Sequence, residues 1–248
     1  MMRTAIVTGG SQGLGRAFAR ALAGAGHAVV IADRNLRGAA NVVAEIEAAG
    51  GTALAVETDV AEEASTQAMA AATQARFGRI DVLVNNAAIF STLEMRPFDQ
   101  IPVPEWEQVM RVNITGPFLC ARAVLPAMRA GGFGRIVNIA SAAVTMGRPN
   151  YLHYITSKSA LIGMSRSMAR ELGTAGITVN SILPGATFTE VERKTVSPEQ
   201  RVMIVASQCI PRALAPGDLV GALLFLASDA SSFVTGQALT VDGGATHP

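Results

Sequence analysis

A doubly wound α/β domain built on a parallel seven-stranded sheet is the fold class this sequence predicts, and three observations point to it. Short apolar or β-branched runs alternate with longer, alanine-rich amphipathic stretches from one end of the chain to the other. The strand-like runs are apolar almost throughout, as strands covered by helices on both faces must be. A glycine-rich turn joins the first strand-like run to the first helical stretch, the arrangement that opens a βαβ unit. Residues 5–8, 28–32, 53–57, 82–85, 135–139, 177–182 and 238–241 read as strands. Residues 14–24, 38–49, 62–77, 105–128, 154–172 and 217–227 carry the apolar spacing of helices packed on one side. No repeat or linker interrupts this order, so the 248 residues read as one domain, with a cofactor half over about 1–140 and a catalytic and substrate half over about 141–248. The stretch 184–216, rich in proline and polar residues, has no clear strand. In this fold it belongs beyond the C-terminal strand ends, where ligands bind, with a substrate loop over about 186–212.

Composition removes several function classes. With 50% hydrophobic residues, 16% charged residues and a net charge of +1, the chain is neither disordered nor a carrier of a broad basic field for nucleic acid. Aromatics, at 5%, are too sparse for a stacking platform. No apolar run approaches the ~18 residues that cross a bilayer. Met1-Met2-Arg3 leads directly into a strand-like run, leaving no room for a signal peptide. Cys120 and Cys209 stand in no metal-ligand spacing and read as structural thiols of a reducing compartment. The expectation is a cytoplasmic protein without a metal.

The turn Thr8-Gly9-Gly10-Ser11-Gln12-Gly13-Leu14-Gly15 places Gly9, Gly13 and Gly15 between a strand and a helix. Glycine permits the tight turn and lets backbone N–H groups at a positive helix end approach a pyrophosphate. Asp33, at the end of the second strand, is placed to accept hydrogen bonds from an adenosine ribose and to repel a 2′-phosphate. That favours NAD over NADP, although the adjacent Arg34 pulls the other way. Asp59-Val60 and Asn85-Asn86-Ala87-Ala88 follow the third and fourth strands at the same sheet edge and line the same crevice.

Tyr154 and Lys158 stand four residues apart in a helical stretch, which brings their Cβ atoms to about 5–6 Å on one face. An ammonium beside a phenol favours the phenolate and lowers its pKa from roughly 10 towards neutrality, as general acid–base work requires. The same spacing also describes a solvated surface pair, so the neighbours decide. Ser141, after the fifth strand, can hold a substrate oxygen beside the phenol. Asn113, a poor helix former inside a helical pattern, can distort that helix and place a water near Lys158. Tyr151 has Ile155, not lysine, four residues on. His153 is turned about 100° from Tyr154 and reads as structural.

With these positions in view, the chain resembles the short-chain dehydrogenase/reductase family over nearly its whole length. The resemblance rests on the glycine turn, Asp59, Asn85-Asn86-Ala87, Asn113, Ser141, Tyr154/Lys158, Asn180 through Pro184-Gly185, and the ending Val241-Asp242-Gly243-Gly244. Ala88 departs from the glycine common there. The resemblance implies a Rossmann fold with Tyr154 as general acid/base, Lys158 lowering its pKa and holding the nicotinamide ribose, Ser141 orienting the substrate oxygen and Asn113 supporting a relay water. It adds Ser11, Gln12, Leu14, Pro184, Gly185, Thr187 and Thr189 to the cofactor contacts. Ile89, Phe90, Ser91, Ala142, Ala143, Val144, Met146, Tyr151 and residues 188–210, Phe188 among them, are the expected substrate lining. Their apolar character suits a neutral, hydrophobic alcohol or ketone, and the resemblance extends to members acting on aryl substrates. The main expectation is therefore an NAD-dependent secondary-alcohol dehydrogenase or carbonyl reductase. Its rivals are an NADPH-dependent 3-ketoacyl-thioester reductase with a carrier-protein partner, for which Arg129, Arg135, Arg193 and Lys194 are the candidate basic residues, and a non-catalytic NAD-binding regulator. Family resemblance implies a homotetramer. Ala160, Gly163 and Ala169 fit close helix approach either across subunits or onto the chain's own sheet.

Overall fold

The computed structural model describes residues 2–191 and 196–247. Among the described residues there are seven strands: β1 Thr4–Thr8, β2 Ala28–Asp33, β3 Thr52–Glu57, β4 Val82–Asn85, β5 Gly134–Ile139, β6 Ile177–Pro184 and β7 Ala238–Val241. They form one parallel sheet in the order β3-β2-β1-β4-β5-β6-β7. The order reverses between β1 and β4, and that switch point is where such sheets open a ligand crevice.

Alternation along the strands divides the core in two. Val7, Val29, Ile31, Val82 and Val84 face α1 (Gly13–Gly24), α2 (Leu36–Ala48) and α9 (Gly217–Leu226), packing on Phe18, Leu22, Val42, Ile46, Leu219 and Leu223. Ile6, Val30, Leu83, Ile136 and Val179 face the opposite way. They pack on Met69 of α3 (Glu63–Phe77), on Cys120, Val124 and Met128 of α5 (Gly116–Gly131), and on Ala169 and Leu172 of α7 (Leu152–Leu172). Each fully buried aliphatic side chain contributes about 1.5–3 kcal/mol, so both sheet faces are strongly held. Ala169 therefore faces its own sheet, whereas space opens in front of Gly163.

The helical pattern expected over 105–128 is interrupted where Asn113 sits. α4 (Val103–Met110) runs into a π turn over Arg111–Thr115, closed by Gly116 N–H donating to the Arg111 carbonyl, before α5 resumes. Two short helices lie outside the expected set: α6 (Ala143–Met146) and α8 (Pro198–Ala206), the latter inside the stretch 184–216. A buried polar chain fastens α7 to the middle of the sheet. Asn85 Nδ2 donates to Asn138 Oδ1 at 2.9 Å, Asn138 Nδ2 to Ser165 Oγ at 2.8 Å, and Ser165 shares a 2.8 Å hydroxyl bond with Ser181. α7 carries Tyr154 and Lys158, so this chain also fixes where they stand.

Candidate active site

The glycine turn follows β1 and leads into α1. Gly9 adopts φ +62°, and a Cβ there would lie 2.8 Å from the Ala87 Cα. A Cβ on Gly15 would overlap the Gly9 carbonyl oxygen and approach Asn86 Nδ2 to 2.6 Å. Only glycine permits this approach of turn, helix and β4. Asn86 spends its side chain on the turn itself: Nδ2 donates to the Thr8 and Gly9 carbonyls, each at 3.0 Å. Its part in the crevice is thus to brace the turn. Asp33 Oδ2 accepts from Ser11 N–H at 3.0 Å, and Oδ1 accepts from Asn35 N–H at 2.9 Å. The carboxylate is held at the tip of β2, facing the turn. Arg34 leans away from it, 3.8 Å from Asp59 Oδ2, and is largely exposed.

One cleft of about 710 Å³ runs from this turn to the Tyr154 region. Its wall brings together Gly9, Gln12, Gly13, Leu14, Gly15, Asp33, Arg34, Asp59, Val60, Asn86 and Ala87 with Ser141, Tyr154, Lys158, Pro184, Gly185, Thr187 and Thr189. An elongated cleft with a glycine-lined anion end and a tyrosine–lysine end fits a nicotinamide dinucleotide. Ser11 is on the turn but serves Asp33 through its backbone instead of facing the cleft.

Lys158 is 4% exposed, and its Nζ donates to the Ile139 carbonyl at the end of β5, 2.7 Å away. Nζ lies 5.9 Å from the centre of the Tyr154 ring. Burial pushes the ammonium down to about 8, so it remains mostly charged at neutral pH. Ser141 is nearly buried, with Oγ accepting from Ala143 N–H at 3.2 Å. Asn113 has no exposure at all. Its Oδ1 accepts from Ile89 N–H at 2.8 Å, and Nδ2 donates to Ile89 O and Ser157 Oγ, each at 3.1 Å. Ser157 in turn donates to the Tyr154 carbonyl at 2.8 Å. The distorted helix thereby grips both the wall after β4 and the α7 turn that bears Tyr154.

The Tyr151 ring stacks on Tyr154, centres 4.6 Å apart at 22°, and its hydroxyl donates to the Phe90 carbonyl at 2.9 Å. His153 is fully buried, with Nε2 3.2 Å from Glu105 Oε1 but without hydrogen-bond alignment. It is directed away from the cleft, as its helical position required.

At the substrate end, Ile89, Phe90, Ala142, Ala143, Met146 and Tyr151 line the cleft as expected. Phe188 does not. Its ring lies under Arg201, 3.9 Å from the guanidinium carbon, because backbone pairing of Phe188 N–H with the Leu214 carbonyl sets its side chain on the outer side of the segment. Ser91 and Val144 are likewise absent from the wall. Met203 and Ile204 of α8, within the expected stretch 188–210, do line it, and so does Arg148, which lies outside the expected lining. The Arg148 guanidinium lies 5.7 Å from the Tyr151 ring centre and donates to Met95 Sδ at 3.4 Å. Of the basic residues considered for a carrier protein, Arg135 is no solvated charge: it is 3% exposed at the start of β5, donating to the Gly134, Gly176 and Ser228 carbonyls. Arg129 ends α5 on that same far side of the sheet, and Arg193 and Lys194 lie outside the described residues. No group of side chains suited to a metal ion occurs among the described residues. No helix there is long and apolar enough to cross a membrane.

A family profile described as enoyl-(acyl carrier protein) reductase matches residues 9–246. The chain is 40% identical over 246 residues to a 3-oxoacyl-(acyl-carrier-protein) reductase of Synechocystis sp., spanning 98% of this chain and 96% of the relative. It is 39% identical over 244 residues to the cis-4-hydroxycyclohexanecarboxylate dehydrogenase of Sinomonas cyclohexanicum, again spanning 98% and 96%. A solved short-chain type dehydrogenase/reductase from Mycobacterium ulcerans superposes with a TM-score of 0.93 at 33% identity, over 98% of this chain and 89% of that one.

Proposed function

The chain belongs to the short-chain dehydrogenase/reductase family as an NAD(P)-dependent oxidoreductase acting on CH–OH groups, and we propose that it interconverts a secondary alcohol and a ketone with NAD as the preferred dinucleotide. The observation that carries this reading is the meeting of Ser141, Tyr154 and Lys158 in one cleft with the glycine turn. Nicotinamide supplies the hydride donor or acceptor. Ser141 holds the substrate oxygen by its hydroxyl, and the Tyr154 phenol gives or takes the proton at that oxygen. Lys158, charged and fixed to Ile139, stabilises the phenolate and would hold the nicotinamide ribose of a bound cofactor. Asn113 keeps the Ile89 wall and the Tyr154 turn in register. A Tyr154→Phe variant is expected to bind NADH normally and lose turnover by at least about 100-fold; retention of full turnover would refute the assignment.

The preference for NAD rests on Asp33, whose carboxylate two backbone N–H groups fix at the end of β2, while Arg34 leans towards Asp59. The apolar wall of Ile89, Phe90, Met146, Met203 and Ile204 supports a neutral, hydrophobic substrate, aryl alcohols and ketones included. Two observations favour other substrates. Arg148 in that wall suits a hydrophobic body bearing a carboxylate, and the match to a relative named for a hydroxycyclohexanecarboxylate agrees. The acyl-carrier-protein reductase relative supports a 3-ketoacyl thioester. Turnover of an aryl ketone, a cyclic keto acid and acetoacetyl-CoA, each with NADH and NADPH, separates the three. We also place the chain in a homotetramer, for which exposed Phe225, Phe233 and Leu239 near the β7 edge offer apolar contact surface; light scattering that returned a monomer would refute it.

A further inference from the structure

Glu190 stands one residue after Thr189, in the segment that crosses the glycine turn. Its Oε1 accepts from Gly13 N–H at 2.9 Å, and Arg16 Nη1, one turn along α1, is 3.7 Å away. The segment lies directly on the turn: a Cβ at Gly13 would sit 3.1 Å from Val191 Cγ2 and 3.5 Å from Thr189 Oγ1. Gly13 is the first residue of α1, and the free N–H groups of a helix's first turn carry partial positive charge. These are the groups that receive a dinucleotide's diphosphate in this kind of turn. A protein carboxylate is already there. The Gly13 N–H, ahead of the Arg16 charge, holds that carboxylate below the usual range, so it is ionised at neutral pH.

We propose that Glu190 is an affinity-setting residue of the cofactor site, its carboxylate holding the anion position at the start of α1 against the dinucleotide's diphosphate. This rests on the reading of the cleft as a dinucleotide site. Two anions at one helix N-terminus repel, so the carboxylate either leaves Gly13 when dinucleotide binds or stays and weakens the complex. Both routes lower affinity and speed release. Leaving is easy for this side chain, which is about half exposed. Arg16 loses little when it goes, because Glu45 already holds its guanidinium through Nε at 3.0 Å and Nη2 at 2.6 Å.

Calorimetric titration of NADH into the wild-type protein, Glu190→Gln and Glu190→Ala tests the proposal without recourse to turnover. Both variants are expected to bind roughly ten-fold more tightly at low salt, the gain shrinking as salt rises. Adenosine, which has no phosphate, is expected to bind all three proteins equally, and stopped-flow release of NADH is expected to slow in both variants. Equal NADH affinities would overturn the proposal and leave the dinucleotide site standing. Weaker binding by the variants would also overturn it, making Glu190 a clasp on the bound cofactor. Failure of all three proteins to bind NADH or NADPH would remove the functional reading, and the proposal with it.

Discussion

Replacing Asn113 by alanine tests whether the π turn is a structural clamp. The side chain is wholly buried and makes three hydrogen bonds, two to the backbone of Ile89 and one to Ser157. Alanine leaves the half-buried Ile89 N–H and carbonyl without Asn113, at up to about 1–3 kcal/mol for each group. A water entering the vacated space recovers part of that, leaving a net loss of about 2–4 kcal/mol. For a domain of this size that corresponds to a fall in Tm of roughly 5–15 °C. Asn113→Asp should fare no better, because it keeps the bond from Ile89 N–H but sets a carboxylate oxygen against the Ile89 carbonyl. Thermal unfolding by circular dichroism, with urea melts at unchanged m-value, reads the loss. NADH affinity should fall less than turnover, since Asn113 reaches Tyr154 through Ser157 and does not touch the glycine turn. A Tm within about 2 °C of wild type would refute the clamp.

Lys158→Met should abolish turnover without lowering stability at pH 7. Burial lowers the folded pKa from 10.5 to about 8, so between those values the unfolded chain binds more protons than the folded one. The buried charge therefore costs stability in full below pH 8, and the cost is relieved as pH rises through the window, a direction of order 2 kcal/mol after the lost bond to Ile139 is set against it. Melting curves from pH 6 to 10 should show the variant's advantage vanish at the alkaline end; a variant less stable than wild type at pH 7 would contradict this. Asp33→Ser should raise the NADPH-to-NADH ratio of kcat/KM by at least about ten-fold, by removing the carboxylate that would repel a 2′-phosphate in the proposed site. An unchanged ratio would place NAD selection elsewhere. Tyr151→Phe, which keeps the stack on Tyr154 but removes the hydroxyl bond to the Phe90 carbonyl, should mainly raise KM. Tyr151→Ala, which removes the stack, should lower kcat as well, and identical effects of the two would show that stacking has no part in placing the phenol.

Strand periodicity and the glycine spacing were legible because each is a local pattern whose meaning is set within a few residues, whereas the Tyr154/Lys158 pair took its meaning from Ser141, Asn113 and the glycine turn elsewhere in the chain. Asn113 was legible as a disturbance, since a residue that disfavours helix inside a helical pattern signals that something else holds it. Its partners were not: Ile89 and Ser157 lie 24 and 44 positions away. The polar chain from Asn85 through Asn138 and Ser165 to Ser181 was invisible for the same reason, each residue reading alone as an ordinary polar interruption. α8 did carry a local signal. Ser197 accepts from Gln200 N–H while Gln200 Oε1 accepts from Ser197 N–H, the capping box announced by Ser-Pro-Glu-Gln. Phe188 was misplaced because alternation along an irregular segment follows its backbone pairing with Leu214, which the sequence does not announce.

The residues that break local rules cluster around the proposed chemistry. Asn113 sits in a π turn, Lys158 buries an ammonium and Glu190 puts an anion where the cleft expects another. Each is unfavourable alone, and consistency elsewhere in the chain is what permits it. The two apolar layers and the Asn85-to-Ser181 chain hold β5 and α7 against each other, which sets Lys158 on the Ile139 carbonyl. The phosphate end is arranged differently, because its anion position is filled by an exposed side chain. A rigid proton-transfer end beside an exchangeable phosphate end suits an enzyme that keeps its catalytic geometry while its dinucleotide comes and goes. Stabilising the Glu190–Gly13 contact should therefore change cofactor turnover, and stabilising the Asn113 clamp should change the chemical step.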